Sequence, residues 1–154
     1  MNDLQDELVK HLFTDLGAAN IHVIQSDVEV FSVLSAKFPV RSSGIAWEEV
    51  PHHECAPSMK TKMSKEEYRH TIDRFLNRFS LDAGILETDD VYVAGDGPTD
   101  LAFRMPLSVF KRNATWFFEI PQSTFVVKQD YSWCFCYSFE DDMYYGRSPI
   151  PDAK

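Results

Sequence analysis

The stretch DYSWCFCYSFEDD, residues 130–142, has an aromatic residue at every odd position from Tyr131 to Phe139. The even positions between them hold serine and cysteine, and three acids end the stretch. Because successive side chains of a strand point to opposite faces of a sheet, this alternation predicts a β-strand with one aromatic and one small-residue face. We expect a helix or a partner to cover the aromatic face. The three acids that follow the predicted strand, residues 140–142, are a candidate contact surface.

A helix over about residues 65–79 is well placed to cover that face. Ser64 and Glu67 have the spacing of a capping box, and apolar residues recur at helical intervals from Tyr68 to Phe79. The sequence therefore predicts an amphipathic helix that begins after Ser64.

The first forty residues predict a helix, followed by a segment whose secondary structure the sequence pattern does not decide. Leucines recur every four residues from Leu4 to Leu16, before the terminating Gly17, which indicates an amphipathic helix. Residues 21–40 are rich in β-branched side chains. Ile21–Gln25 suits a strand. For the rest of this segment a short helix and a second strand remain as alternative predictions.

Further segments predict a domain that combines helices with an antiparallel sheet. Residues 108–118 are compatible with one or two helical turns. The stretch PHHECAPSMKTK, residues 51–62, indicates a loop. The segments typical of strands are GIAWEEV (44–50), DDVYVAG (89–95), LAFRMPL (101–107), ATWFFEI (114–120) and TFVVKQ (124–129). Early helices and late strands predict one α+β domain, residues 1–154. Its antiparallel sheet would come mostly from the C-terminal half and pack against two or three helices.

Composition narrows the classes of function. Acids outnumber bases 24 to 15, for a formal net charge of −9, which disfavours direct binding to nucleic acid or to an anionic membrane. The N-terminal stretch lacks the pattern of a signal peptide, and no segment approaches the ~18 apolar residues of a membrane helix. Three cysteines, an odd number, do not suit a disulfide scaffold. We expect a cytoplasmic protein with reduced thiols.

One segment resembles a phosphatase motif. VYVAGDGPTDLAF, residues 91–103, is similar through Asp96 and Asp100 to the Gly-Asp-Gly-x-x-Asp motif of haloacid-dehalogenase-like phosphatases. The resemblance implies that these acids hold Mg²⁺ beside an aspartate nucleophile, for which Asp27, followed by Glu29, is the nearest match. A surface turn is the alternative for the same residues. The antiparallel pattern downstream disfavours the parallel sheet of that family.

Histidine and cysteine residues could form a metal site, which is the second kind of functional site that the sequence allows. His52, His53 and Cys55 could join Cys134 and Cys136 as zinc ligands, although their spacing departs from the usual paired knuckles. The alternative places the histidines in a solvated loop and Cys134 and Cys136 in the core. We predict no catalytic residue, metal or cofactor, and leave metal binding by these five residues open.

The C-terminal stretch TFVVKQDYSWCFCYSFEDDMYYGR, residues 124–147, carries a second resemblance. Together with the acidic composition, it resembles the small immunity proteins of bacterial toxin–immunity systems, including contact-dependent inhibition and polymorphic toxins. The shared layout is a strand, an Asp turn, a Trp-bearing strand, acids and an aromatic-Gly-Arg ending. The resemblance implies a protein that binds and neutralises a cognate toxin, for example a nuclease, at a basic active-site surface.

We predict that acids and aromatic residues together form the contact surface. Carboxylates would pair with toxin lysines or arginines, and aromatic side chains would supply contact area. The predicted residues are Asp89, Asp90, Glu140, Asp141, Asp142, Tyr144 and Tyr145. The alternatives to an immunity protein are the Mg²⁺-dependent phosphatase and a phage-encoded acidic inhibitor that mimics nucleic acid.

Overall fold

The computed structural model describes residues 7, 10, 21–24, 27–41, 44–57, 62–96, 102–120 and 122–150. Within these residues the α-helices with defined bounds are α1 (Val28–Lys37), α2 (Lys65–Ala83) and α3 (Leu107–Phe118). The strands are β1 (His22–Ile24), β2 (Val40–Arg41), β3 (Gly44–Ile45), β4 (Glu54–Pro57), β5 (Asp90–Gly95), β6 (Ala102–Pro106), β7 (Thr124–Lys128), β8 (Trp133–Tyr137) and β9 (Asp142–Arg147). Glu7 and Lys10 are helical, as the predicted N-terminal helix requires. Its other positions lie outside the described residues.

Seven of these strands form one antiparallel sheet in the order β1-β6-β5-β7-β8-β9-β4. The remaining two, β2 and β3, form a small antiparallel hairpin. Strands β5 to β9 all come from residues 90–147. The predicted α+β fold, with an antiparallel sheet mostly from the C-terminal half, is confirmed.

Helices α2 and α3 cover one face of the sheet, which we call the first face. Phe135, in the middle of β8, is fully buried. Its ring centroid lies 6.1 Å from that of Phe75 and 5.7 Å from that of Phe79, both on α2. On α3, Phe118 stacks on Tyr137 with centroids 4.3 Å apart. Helices therefore cover the aromatic face of β8.

Helix α2 begins at the residue that the sequence predicted. The Ser64 hydroxyl accepts a hydrogen bond of 3.2 Å from the backbone N–H of Glu67, which confirms Ser64 as the N-cap. The Glu67 carboxylate accepts a hydrogen bond of 3.2 Å from the Ser64 hydroxyl, whereas a capping box would have it accept from the Ser64 backbone N–H. The helix continues past the predicted end at Phe79 to Ala83. It stops at Gly84, whose φ of 67° is the left-handed conformation that glycine adopts at little cost.

The second face of the sheet is covered as well, so the structure has three layers. Leu34 of α1 and Phe38, which follows the last residue of α1, pack in one cluster with Cys134 and Cys136 of β8. Burial raises the pKa of both thiols because the charged thiolate is disfavoured away from water. The two cysteines are core residues, as the small-residue face predicted. Residues 21–40, which the sequence left open, contain β1, then α1, then the first residue of β2.

The alternation in residues 130–142 extends less far than predicted. Strand β8 includes only Trp133–Tyr137. Tyr131 has a φ of 62° and stacks on Tyr92, on the second face, with ring centroids 5.4 Å apart. Phe139 lies in the turn after the strand and is 68% exposed. A side-chain period of two requires extended backbone, and the turns at both ends of β8 interrupt it.

Three other segments differ from their predictions. ATWFFEI belongs mostly to α3, where Ala114, Phe117 and Phe118 are buried at helical spacing. GIAWEEV forms the two residues of β3 and then a 3₁₀ turn, Trp47–Glu49. The predicted loop at residues 51–62 contains β4, which pairs with β9. Pairing with a strand far away in the sequence stabilises β4, and a local pattern carries no signal of it.

Candidate functional site

The predicted contact residues do not form one cluster. Asp90 begins β5, whereas Asp142 begins β9 at the end of the sheet where β5 finishes with Gly95. The aligned pairs that show this are Gly95–Thr124, Thr124–Tyr137 and Tyr137–Met143. Since a strand rises about 3.3 Å per residue, the length of β5 separates the two acidic groups by about 17 Å.

Asp89 and Asp90, at the end of the sheet where β5 begins, have partners within the chain. A carboxylate oxygen of Asp89 accepts a hydrogen bond of 2.8 Å from the backbone N–H of Leu86. An oxygen of Asp90 lies 3.4 Å from Nε of Arg104. These contacts give both carboxylates a local role in the fold, and their binding to a partner stays a prediction.

The two adjacent tyrosines of β9 point to opposite faces. Tyr145 is fully buried, 5.1 Å between ring centroids from Phe75, and its hydroxyl donates a hydrogen bond of 2.5 Å to Asp82. Burial, and then the bond to Asp82, raises the pKa of Tyr145. The prediction of Tyr145 as a contact residue is therefore wrong for this fold, because its ring belongs to the core.

A groove of about 610 Å³ opens at the other end of the sheet, beside Glu140. Its acidic lining residues are Glu48, Asp96 and Glu140, and its large apolar or aromatic ones are Ile45, Trp47, Phe125, Phe139 and Tyr144. Among the described residues that line it, none is a lysine, arginine or histidine. We call this region the Asp96 groove. It brings together acids from three separate parts of the sequence.

Trp47 and Tyr144 form an aromatic wall of the groove. Their rings are nearly parallel, with an angle of 7° and centroids 5.5 Å apart. Both side chains are half-buried. Burial, followed by the nearby charge of Asp142, raises the pKa of Tyr144. The Tyr144 hydroxyl therefore stays protonated at neutral pH and can donate a hydrogen bond.

Backbone contacts join the acidic segments of the groove. Oδ1 of Asp96 accepts a hydrogen bond of 2.9 Å from the backbone N–H of Ser123. The Ser123 hydroxyl in turn accepts one of 3.0 Å from the backbone N–H of Phe139. Ser123 thus links the exit of β5 to the turn that carries Glu140.

A hydrogen-bond chain connects the same turn to the core. The Tyr137 hydroxyl donates to Oδ1 of Asp141 at 2.9 Å and lies 2.8 Å from the Tyr68 hydroxyl. Asp141 has a φ of 64°, and its backbone N–H donates to the carbonyl oxygen of Ser138. Asp141 therefore has a role in shaping the turn, whereas Glu140 is exposed and is the better position for testing partner binding.

Gly95, at the end of β5, lies directly against the side-chain amide of Gln122. A Cβ at position 95 would lie 1.9 Å from Nε2 of Gln122, whose side chain is only 4% exposed. We expect Gly95→Ala to lower the free energy of unfolding by about 1–3 kcal/mol, because the buried amide must move. In a Gln122→Ala background the same change should cost much less. Chemical denaturation of the four variants measures this, and equal costs in both backgrounds would refute the clash.

The five residues considered as metal ligands do not form one cluster. His52 stacks on Trp133, at the opposite end of the sheet from the groove. Cys134 and Cys136 are buried, and Cys55 is exposed on β4. Throughout the described part of the chain, no group of three or more His, Cys, Asp or Glu residues is placed to hold a metal ion.

The thiols offer a direct check of this arrangement. We expect Cys55 alone to react quickly with a thiol-specific disulfide reagent in the native protein, because the other two thiols are buried and protonated. All three should react after unfolding. Cys55→Ser should abolish the fast phase, and a second fast thiol in the native protein would contradict the buried placement of β8.

The phosphatase resemblance has no support from the fold. Strands β5 and β6, on either side of the motif, are antiparallel, whereas the resemblance implies a parallel sheet. Asp27 lies immediately before α1, and Asp100 lies outside the described residues.

Comparisons with known proteins add no identification. No protein-family model matches the sequence, and a search of curated proteins finds no match either. In the part of the chain that the structure describes, none of the helices has the length and apolarity needed to cross a bilayer.

Proposed function

We propose that the chain is an immunity protein, which binds a cognate bacterial toxin domain and neutralises it without catalysis. The Asp96 groove is the centre of its contact surface. The observation that carries this proposal is the lining of the groove: three carboxylates and several aromatic side chains, with no basic residue among the described lining residues. Such a surface is complementary to the electropositive active site of a nuclease or of another enzyme that binds phosphate.

The overall charge supports the same kind of partner. A formal net charge of −9 attracts a basic protein over a distance and raises the association rate at low salt. The three cysteines are unpaired, which suits action in the reducing cytoplasm. The exposed Phe139 lines the same groove as Trp47, Tyr144 and the three carboxylates, and it supplies aromatic contact area there.

The test is a search for a toxin domain encoded beside this gene and a measurement of its binding to the protein. We expect a complex that buries roughly 1,600 Å², forms more slowly as salt is added, and inhibits the toxin at a fixed molar ratio. Failure to bind or inhibit that domain would overturn the proposal. Hydrolysis of a phosphate ester with Mg²⁺ that is lost in Asp27→Asn would support the phosphatase instead.

A further inference from the structure

We propose that the Asp96 groove accepts an arginine side chain of the partner, with its guanidinium group against the aromatic wall and its N–H groups directed at the carboxylates. This inference rests on the proposed function, and it names the partner chemistry that the groove selects. Three features of the groove support it: its unpaired charge, its flat aromatic surfaces and the hydrogen bonds that hold its lining segments.

The charge of the groove is not neutralised within the described part of the chain. Four described acids outside the groove form ion pairs: Glu49 with Arg41, Glu54 with Arg78, Glu87 with Lys111 and Asp90 with Arg104. None of these ion pairs involves Glu48, Asp96 or Glu140, although the three acids line one groove. A cation in the groove is attracted by all three carboxylates. The occupant that the charges favour is therefore cationic.

The aromatic lining favours guanidinium over ammonium. Trp47 and Tyr144 stack on each other in the lining of the groove, and the ring of Phe139, which also lines it, is 68% exposed. A guanidinium group is planar and weakly hydrated, so it can stack on an aromatic face while its N–H groups reach carboxylates. The ammonium of lysine is a strongly hydrated point charge that gains less from such a surface.

Hydrogen bonds hold the segments that line the groove. Ser123 bonds to both Asp96 and the backbone of Phe139, and Tyr137 bonds to Asp141 in the turn beside Glu140. A site that is already shaped loses little conformational entropy when a ligand enters. Its volume of about 610 Å³ admits an arginine side chain with some of the backbone that carries it.

The probe for this inference is acetyl-arginine-amide, titrated into the isolated protein at low salt and compared with acetyl-lysine-amide. We expect saturable shifts of the Trp47 indole N–H resonance in NMR spectra, with a dissociation constant on the order of 1 mM for a ligand of this size. The lysine probe should bind at least several-fold more weakly. Glu140→Gln should weaken binding of the arginine probe at the Trp47 resonance. Trp47→Ala, followed through the backbone amide resonance of Tyr144, should weaken it as well.

The matched control is Glu66→Gln, on the exposed first turn of α2, which covers the first face of the sheet. It removes one negative charge, as Glu140→Gln does, and should leave the titration unchanged. Equal binding of the two probes, or no saturable shift at Trp47, would overturn the arginine assignment. Because these titrations need no toxin, they are separate from the test of the proposed function: the toxin can bind without arginine in the groove, and arginine can bind when the toxin does not.

Discussion

Replacement of Phe135 by alanine is expected to lower the free energy of unfolding by about 3–5 kcal/mol, the range for deleting a buried aromatic ring. Phe135 is fully buried at the centre of β8. It contacts rings from both helices of the first face, Phe79 on α2 and Phe118 on α3. The substitution therefore removes the residue that joins the sheet to both helices. Denaturant unfolding followed by circular dichroism measures the loss.

Phe139→Ala is the control for this prediction. It makes the same chemical change four residues further along the alternating stretch, but at a side chain that is 68% exposed. We expect a change in the free energy of unfolding within about 0.5 kcal/mol. If the two variants lost equal stability, the assignment of Phe135 to the core and of Phe139 to the surface would be wrong. Phe139→Ala should instead weaken toxin binding, because this ring lines the Asp96 groove.

Reversal of two charges in the groove, Glu48→Lys with Glu140→Lys, is expected to weaken toxin binding by at least about 100-fold, or about 2.7 kcal/mol. Both carboxylates are exposed and have no ion-pair partner among the described residues, so we expect their reversal to leave the fold intact. New lysines would repel the basic surface that we propose for the toxin. Calorimetry or surface binding at two salt concentrations measures both the affinity and its weakened salt dependence.

A control of equal net charge is Glu66→Lys with Asp73→Lys on α2, which packs on the first face of the sheet. It changes the net charge by the same amount and therefore reproduces any loss of long-range attraction. We expect it to lower the affinity only a few-fold. Equal losses in the two double variants would show that overall charge, and not the groove, governs binding. Asp89→Asn with Asp90→Asn tests the acids at the other end of the sheet.

Much of the fold was predictable from local signals. The N-cap at Ser64, the helical spacing after it and the alternation in β8 each lie within a few residues of the element that they define. Pairings between distant segments were not predictable in this way. The strand β4 forms because β9 provides a partner at the edge of the sheet, and α3 replaced a predicted strand because its apolar side chains face the core at helical spacing.

The candidate site was predictable only in part. The sequence drew attention to Glu140 because an acidic triplet follows an aromatic strand, and to Asp96 because it lies in a Gly-Asp-Gly turn. It grouped Glu140 with Asp89 and Asp90, which lie at the opposite end of the sheet. It also gave Tyr144 and Tyr145 the same role, although neighbouring side chains on a strand must face opposite ways. Trp47, which faces Tyr144, had no local signal that linked it to them.

The sequence by itself determined the α+β class, the start of α2, the two-faced character of β8 and the acidic charge of the protein. These properties depend on residue type and on short-range spacing, which fix local backbone geometry and composition. Only the tertiary structure decided that Asp96 and Glu140 share a groove with Glu48, and that Tyr145 belongs to the core. Strand order and register set these positions, because antiparallel pairing places residues far apart in the chain at the same end of the sheet. The acids at the end of residues 130–142 remain the proposed contact. Glu140 lines the groove, and Asp141 makes hydrogen bonds that stabilise the turn.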